Sequence, residues 1–364
     1  MAMVTAIGLM SGTSMDGVDA AVLTTDGETI GGFGPTLFRA YSDAERQILR
    51  AALQEARGLE DRNARPGVVA EAEGIVTVAH IAAVRDLLAA NPGMKADLVG
   101  FHGQTVFHAP HRLLTIQIGD GPALAKATGL PVVYDFRAAD MESGGQGAPF
   151  VPVYHRALVR HAGLPGDVVV VNIGGVANIT RVASDGMLMA GDTGPGNALI
   201  DDFVSARRGL AYDADGALGG AGVIDELALT ALIADPWFEE PFPKSLDRNA
   251  FSPAPVQLLD DADGAATLAA FTASTIAGGI MIAGGAETIV VAGGGAHNRT
   301  ILRLLAEATG TRVLAASALG WSGDFVEAQA FAFLAVRSMA GLPLSYPETT
   351  GVFEPMTGGV LVRP

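Results

Sequence analysis

A two-lobed α/β protein is the fold class this sequence predicts, from three observations. The chain has 364 residues, more than one hydrophobic core readily serves, so two lobes are expected. Its composition, 49% apolar and 17% charged, can bury a sizeable core. A strand hairpin with a polar, glycine-rich tip occurs once in each half, at SGTSMDG and at NIGGVANIT. No repeat of fixed period accompanies it. The lobe boundary is expected near residue 140, giving lobes 1–140 and 141–364. Whether the C-terminal tail returns to the first lobe is left open by the sequence.

The elements follow in order. Val4 to Met10 reads as a buried strand running into the SGTSMDG turn, and Asp19 to Thr24 as the strand returning from it. Apolar residues at helical spacing predict helices over Ala44–Glu55 and Val68–Ala90. Strands are expected at Asp97–Phe101, Thr115–Gly119 and Pro131–Tyr134. In the second half Val168–Ile173 (VVVVNI) is the clearest core strand. Met187–Ala190 reads as a strand before GDTGPGN, followed by a helix over Ala198–Arg207. Leu210–Asp263 is loop-rich, and a helix over 265–283 leads to the strand Thr288–Ala292. Helices over Arg299–Ala308 and Phe325–Met339 complete the pattern.

Composition excludes several classes of function. A formal charge of −16 argues against nucleic-acid binding, which needs clustered Lys and Arg. An anionic ligand would need a local basic or amide-rich pocket. With no cysteine there is no disulfide framework, thiolate metal site or thiol nucleophile. MAMVTAIGLMSGTS lacks the basic and apolar regions of a secretory signal. Ala265–Ala286 holds 22 residues without a charge, but Thr, Ser and Gly dilute it and acidic residues flank it. It reads as a buried helix and turn, with no membrane association expected.

Four glycine-rich loops could carry chemistry. In Ser11-Gly12-Thr13-Ser14-Met15-Asp16-Gly17-Val18-Asp19, small residues and amides could approach phosphate oxygens. Asp16 and Asp19 could hold Mg2+ directly or through water. The same residues would also make an ordinary Asp-Gly hairpin turn, and no Walker-type GxxxxGK[ST] loop exists in the chain. Asn172, Gly174 and Gly175, after the apolar strand, form a candidate second phosphate contact or a plain turn. In Gly191-Asp192-Thr193-Gly194-Pro195-Gly196-Asn197, Asp192 could be a base positioned in a rigid turn at a helix entrance. Asp192 or Asn197 could equally be a helix cap there. Gly293, Gly294, Gly295 and Asn298 could admit a ribose or a flat ring, or simply allow tight strand–helix packing. A nucleotide between duplicated lobes would make sense of this plan.

FHGQT with Gln104 and Thr105, TIQIGDG, and Asp135-Phe136-Arg137 with GGQGAP carry groups suited to a sugar and a carboxylate, though turn chemistry also accounts for them. His102 and His108 find nothing that completes a metal-ligand set.

Eight stretches in order, GLMSGTSMDGVD, FHGQT, TIQIGDG, VYDFR, GGQGAP, VNIGG, DTGPGN and GGGAHN, together resemble the anhydro-N-acetylmuramic acid kinase family of the actin and sugar-kinase superfamily. They run from Gly8 to Asn298, most of the chain. The resemblance implies two actin-like (ribonuclease H-like) lobes with a nucleotide cleft between them, and ATP and Mg2+ as cofactors. It implies a reaction in which water opens the 1,6-anhydro ring of anhydro-N-acetylmuramic acid and the 6-oxygen is phosphorylated, in peptidoglycan recycling. By that likeness Asp192 is the general base and touches the substrate, in the logic of inverting glycosidases. Gly12 to Asp19 is the first ATP segment, and Arg137 reads the lactyl carboxylate beside Gln104 and Thr105. Glu327 is a second carboxylate near the water, or a solvated helix-face charge. A cytoplasmic homodimer acting on a small sugar is implied.

Two departures stand out. Where many sugar kinases of the superfamily carry Asp before the first loop, this chain has Met10; the usual PPKSTGRE-like stretch reads Phe242-Pro243-Lys244-Ser245-Leu246-Asp247-Arg248-Asn249. A simple amino-sugar kinase of the same fold is the nearest alternative, and a non-catalytic, ATP-switched actin-like protein a further one.

Overall fold

The computed structural model describes residues 2–247 and 250–364, so Arg248 and Asn249 of the departing stretch lie outside the described residues. In chain order the first elements are β1 (Val4–Ser11), β2 (Gly17–Thr25), β3 (Ile30–Ala40), α1 (Asp43–Ala56) and α2 (Gly67–Ala90). Then come β4 (Leu98–Ala109), β5 (Leu114–Ile118), α3 (Gly121–Thr128), β6 (Val132–Tyr134), α4 (Ala138–Glu142) and α5 (Pro152–His161). The middle of the chain holds β7 (Val168–Ile173), β8 (Val176–Val182), β9 (Leu188–Pro195), α6 (Ala198–Arg208), α7 (Ala217–Ala221) and α8 (Glu226–Ile233). There follow α9 (Asp261–Ile282), β10 (Thr288–Ala292), α10 (Arg299–Thr309) and β11 (Arg312–Ala315). The chain closes with α11 (Val326–Met339), α12 (Pro347–Thr350) and β12 (Val360–Val362).

Contacts divide the chain into two compact units, Met1–His161 with Asp324–Pro364, and Ala162–Gly323. The boundary expected near 140 therefore falls inside the first unit. The reason is side-chain packing after α4: Tyr154 of α5 is fully buried, its ring 5.4 Å from Phe333 of α11, and its hydroxyl donates to Gln329 Oε1 at 2.9 Å. Residues 324–364, which a boundary near 140 would assign to the second lobe, also belong to the first unit.

Each unit is built on one sheet. The first runs β12-β6-β4-β1-β2-β3 with β5 paired to β4, and the second runs β11-β10-β7-β8-β9. In both, three antiparallel strands (β1-β2-β3; β7-β8-β9) continue into parallel partners of the first strand. The duplicated plan read from the hairpin tips is thus a duplicated strand order. Ligand loops in open parallel sheets sit at the carboxyl ends of strands. Those ends are where Ser11, Asn172 and Ala292 lie, with Gln104 beside Ser11 in register.

One face of the first sheet packs on α1 and α2. Val18, Val22, Val99 and Phe101 join Leu49, Val76 and Leu87 in a single apolar cluster. Helix α1 starts on a capping box, with Glu45 N donating to Ser42 Oγ at 3.2 Å and Ser42 N to Glu45 Oε2 at 2.7 Å. On the opposite face, Gly8 and Gly100 are neighbours in register. A Cβ on Gly8 would overlap the Ala328 carbonyl oxygen, and one on Gly100 that of Phe331. Helix backbone therefore rests directly on strand backbone. Strand β3 escapes the sequence reading because its half-buried alternation is broken by Gly31, Gly32, Gly34 and Pro35.

Two helices, α2 and α9, are long and apolar enough by composition to cross a membrane, and 72% of the tested window of α9 is buried within the protein. That burial is what a core helix shows. Ala265, Leu268, Phe271 and Ile276 of α9 pack on Val169, Val171 and Ile289 of the second sheet.

The glycine contact makes a stability prediction. Gly100→Ala should destabilise the protein by about 3 kcal/mol, the cost of overpacking against backbone that cannot retreat. Gly74→Ala, in α2 with nothing within 4 Å of the new methyl, should stabilise it by about 0.5–1 kcal/mol. Urea midpoints of the two variants check both signs.

Candidate active site

In the first unit the β1–β2 hairpin tip is fixed from below. Buried Ser11 donates to Gln104 Oε1 at 2.6 Å and lies 3.2 Å from the Tyr41 hydroxyl. Gln104 Nε2 in turn donates to Gly12 O at 3.1 Å and to Thr105 O at 3.3 Å. Gln104, expected to read substrate, thus also braces the loop through Ser11 and Gly12. Thr105 is half-buried in β4. Met15 takes a left-handed φ of 51° and, with Val18, turns its side chain into the core. Gly17 must be glycine, because a Cβ would strike the Arg39 backbone carbonyl oxygen, with the Phe38 ring also only 2.5 Å away. Thr13 and Ser14 are left exposed, Ser14 Oγ donating to Asp16 Oδ1 at 2.7 Å.

Beside this tip a pocket is lined by Met10, Gly12, Ser14, Asp16, Asp19, Asp324 and Glu327. Burial first, then repulsion from Asp16, Glu327 and Asp324, pushes the Asp19 carboxyl up to about 7. Glu327, in the first turn of α11, is open to solvent in the pocket yet enclosed enough that desolvation raises its pKa, while Arg137 pulls it down. Among the described residues no three His, Asp or Glu side chains converge as direct ligands of one ion. Asp16 and Asp19 suit a hydrated cation better than a bare one.

Arg137 follows β6 and is held in place on two sides. Its Nε and Nη2 lie 3.2 and 3.0 Å from His102 Nε2, and Nη1 donates to Gly147 O at 2.6 Å. His102 Nδ1 is 2.8 Å from Gly103 O, which fixes the proton on that nitrogen and leaves Nε2 as acceptor. Burial, then the Arg137 cation, holds His102 well below its usual range, so it stays neutral. Desolvation likewise lowers Arg137 to about 10, against the raising effect of Glu327 and Asp140. These contacts use three of the guanidinium's five N–H groups. Buried Asp140, which no sequence signal marked, holds the next loop: Gly147 N donates to Oδ1 at 2.6 Å, and Ser345 and Thr350 donate to Oδ2 at 2.5 and 2.6 Å.

In the second unit three expected loops meet. Asn197 N donates to Gly174 O at 2.7 Å, Gly196 N to Gly175 O at 2.9 Å, and Asn197 Nδ2 to Ile173 O at 3.2 Å. Ala292 pairs with Asn172, and Gly293 at φ 75° would carry a Cβ 2.5 Å from Asn172 Oδ1. Asn197 therefore ties loops together and makes no side-chain cap for α6. Asn298 does cap, accepting from Ile301 N at 3.0 Å. A cavity of about 510 Å³ beside these loops is lined by Asn197, Gly294, His297 and Asn298, with Asp201 and Tyr212 from outside the expected motifs. Of the glycine run only Gly294 reaches this cavity, and Asp213 and Asp215 join Asp201 in its wall.

Asp192 is not in a turn, as the Gly/Pro pattern suggested, but inside strand β9. It pairs with Asn178 at a register shift between Ala177 and Asn178, and such a bulge re-aims side chains. The carboxylate is half-buried, and Oδ2 accepts from Leu246 N at 2.7 Å. Desolvation lifts its pKa to about 6, with the Leu246 N–H pulling the other way.

Comparison with known proteins shows the family. A family model described as "Anhydro-N-acetylmuramic acid kinase" matches residues 4–364. A protein of that name from Rhodopseudomonas palustris is 55% identical, covering 100% of both chains, and one from Bradyrhizobium diazoefficiens is 54% identical over the same shares. Among solved structures, a ROK family glucokinase from Streptomyces griseus in complex with glucose and AMPPNP has 16% identity and a TM-score of 0.44, covering 91% of this chain and 99% of that chain.

The acidic pocket makes a titration prediction. Asp16→Asn removes a like charge and should lower the Asp19 pKa from about 7. Carboxyl-carbon NMR of the two proteins reads the shift, and an unchanged Asp19 would mean that the two groups do not interact.

Proposed function

The chain belongs to the anhydro-N-acetylmuramic acid kinase family, and we propose that its Asp192 is the base that activates water in the family reaction. In that reaction water adds to the anomeric carbon of 1,6-anhydro-N-acetylmuramic acid, the bond from that carbon to the 6-oxygen breaks, and the 6-oxygen receives a phosphoryl group. The products are N-acetylmuramic acid 6-phosphate and ADP, and on this reading the enzyme serves the recycling of cell-wall sugar. The observation that carries the proposal is the placement of the Asp192 carboxylate, half-buried on β9 and held at Oδ2 by Leu246 N. Burial pushes its pKa up to about 6, close enough to neutrality for the anion to prevail at pH 7 while remaining a competent proton acceptor. Among the described residues only Leu246 N bonds it, at Oδ2, which leaves Oδ1 for a water.

The other roles divide between the units. Exposed Thr13 and Ser14 with the amides of the first tip, and Gly174 and Gly175 in the second unit, are the phosphate contacts of the proposal. The pocket at Gly294 and Asn298 takes the nucleoside. ATP supplies the phosphoryl group, and Mg2+ would offset charge on the phosphates near Asp16 and Asp19, since phosphoryl transfer rests mostly on positioning and electrostatics. Arg137, held flat by His102 and Gly147 O, keeps N–H groups for the lactyl carboxylate. Glu327 is the second carboxylate near the water.

Purified protein with Mg-ATP and the anhydro sugar in oxygen-18 water should give N-acetylmuramic acid 6-phosphate labelled at the anomeric hydroxyl. Asp192→Asn should lower kcat by a factor on the order of 10²–10⁴. Because burial raises the Asp192 pKa, kcat/KM of the native enzyme should fall as pH drops through about 6. Unlabelled phosphorylated sugar, or full activity in Asp192→Asn, would sink the proposal.

A further inference from the structure

The stretch that departs from the family pattern, 242–247, lies directly on the strand that carries Asp192. Gly191 permits this: a Cβ there would meet Phe242 Cδ1 at 2.6 Å and Lys244 O at 2.9 Å. Asp192 N donates to Lys244 O at 2.9 Å, and two residues later Leu246 N donates to the Asp192 carboxylate. The segment thus grips both the backbone and the side chain of one residue.

What fixes the segment is the Lys244 side chain. It is 7% exposed, its Nζ donates to Trp237 O at 2.9 Å and to Phe238 O at 3.0 Å, and it stands 4.3 Å from the centre of the Trp237 ring. The ammonium reaches into the turn Pro236–Glu239, closing a loop from 237 to 244. That turn is itself anchored in the core: Phe238 stacks on Phe251 at 4.9 Å and meets Phe271 of α9 edge-on at 5.7 Å. A buried ammonium accepts such a site only when carbonyl oxygens and a ring face replace its water.

We propose that Lys244 is a positioning residue for Asp192: by tying residues 242–246 to the aromatic core, it holds the Leu246 N–H against the Asp192 carboxylate. Resting on the reading of Asp192 as the base, this gives the residue a task although it faces neither carboxylate oxygen. Removing Lys244 should let the segment lift, so that Asp192 loses the Leu246 N–H bond, the one that stabilises its anion among the described residues. Among the described residues no charged side chain contributes to the Asp192 shift, so this N–H is the available control. The aromatic anchor remains in the variant, so the fold should survive.

The test is carboxyl-carbon NMR titration of Asp192 in the protein without ligands, beside pH–rate profiles, for wild type, Lys244→Met, Lys244→Arg and Gly191→Ala. Lys244→Met should raise the Asp192 pKa by about half a unit or more and shift the acid limb of kcat/KM by the same amount. Its kcat should fall on the order of 10-fold with the KM for ATP unchanged. Gly191→Ala, which pushes the segment off the strand, should show the same signature, and Lys244→Arg should restore much of the loss. An Asp192 titration in Lys244→Met identical to wild type overturns the proposal, as does an activity loss equal at every pH. If wild type itself makes no labelled product, the reading of Asp192 as base falls, while the NMR titration still decides whether Lys244 controls its carboxyl.

Discussion

Backbone-on-backbone contact between α11 and the glycines of β1 and β4 is the constraint on which the first unit depends. With Gly8 and Gly100 side by side in register, the sheet offers a strip without side chains. Ala328, Ala332 and Ala335 keep the facing side of the helix equally small. Close approach then sets where the helix begins. It puts Glu327 at the acidic pocket and Phe331 under His102, whose ring centre is 4.5 Å away. From the same helix Arg337 donates to Gly27 O and Pro343 O at 2.7 Å, binding the hairpin β2–β3 to the tail. Asp140, Ser345 and Thr350 extend the linkage to the loop that supports Arg137.

The two carboxyls of greatest chemical interest are raised by different physics. Asp192 is raised by burial alone and opposed by one amide, so its value is set by how well a few atoms are held. Asp19 is raised by burial together with three neighbouring acids. Such a site responds to any cation that enters. In a chain of net charge −16, an anionic ligand would have to be met by amides and hydroxyls such as those at the strand ends, where glycine keeps the backbone accessible.

Much of this was legible in the sequence because glycine loops are local. SGTSMDG, NIGGV and GGGAHN each fall at a strand end, and Asn172, Gly174 and Gly293 are brought together in the second unit. What sequence could not give were the contacts made over long separations. Asp192 read as a turn residue because Gly194, Pro195 and Gly196 follow it, yet sheet pairing with β8 overrides that local preference. Gln104 carried no sign of its hold on the first loop, because its partner Ser11 lies 93 positions away. Asp140 carries no motif at all, and its role comes from hydroxyls more than 200 residues further on. Lys244 looked like a remnant of a family stretch until the carbonyls that hold it were in view.

The second unit is an insertion in the first, since residues 162–323 separate α5 from α11. A ribosome therefore releases the inserted unit whole before the unit that hosts it can close. Until α11 emerges, the glycine strip of β1 and β4 has no cover, and until β12 emerges, β6 has an open edge. During synthesis the nascent first unit thus presents bare sheet to the cell for as long as two hundred further codons take to be read, on the order of 10–40 s at bacterial rates. That interval is when a holding chaperone would find its binding surface on this chain.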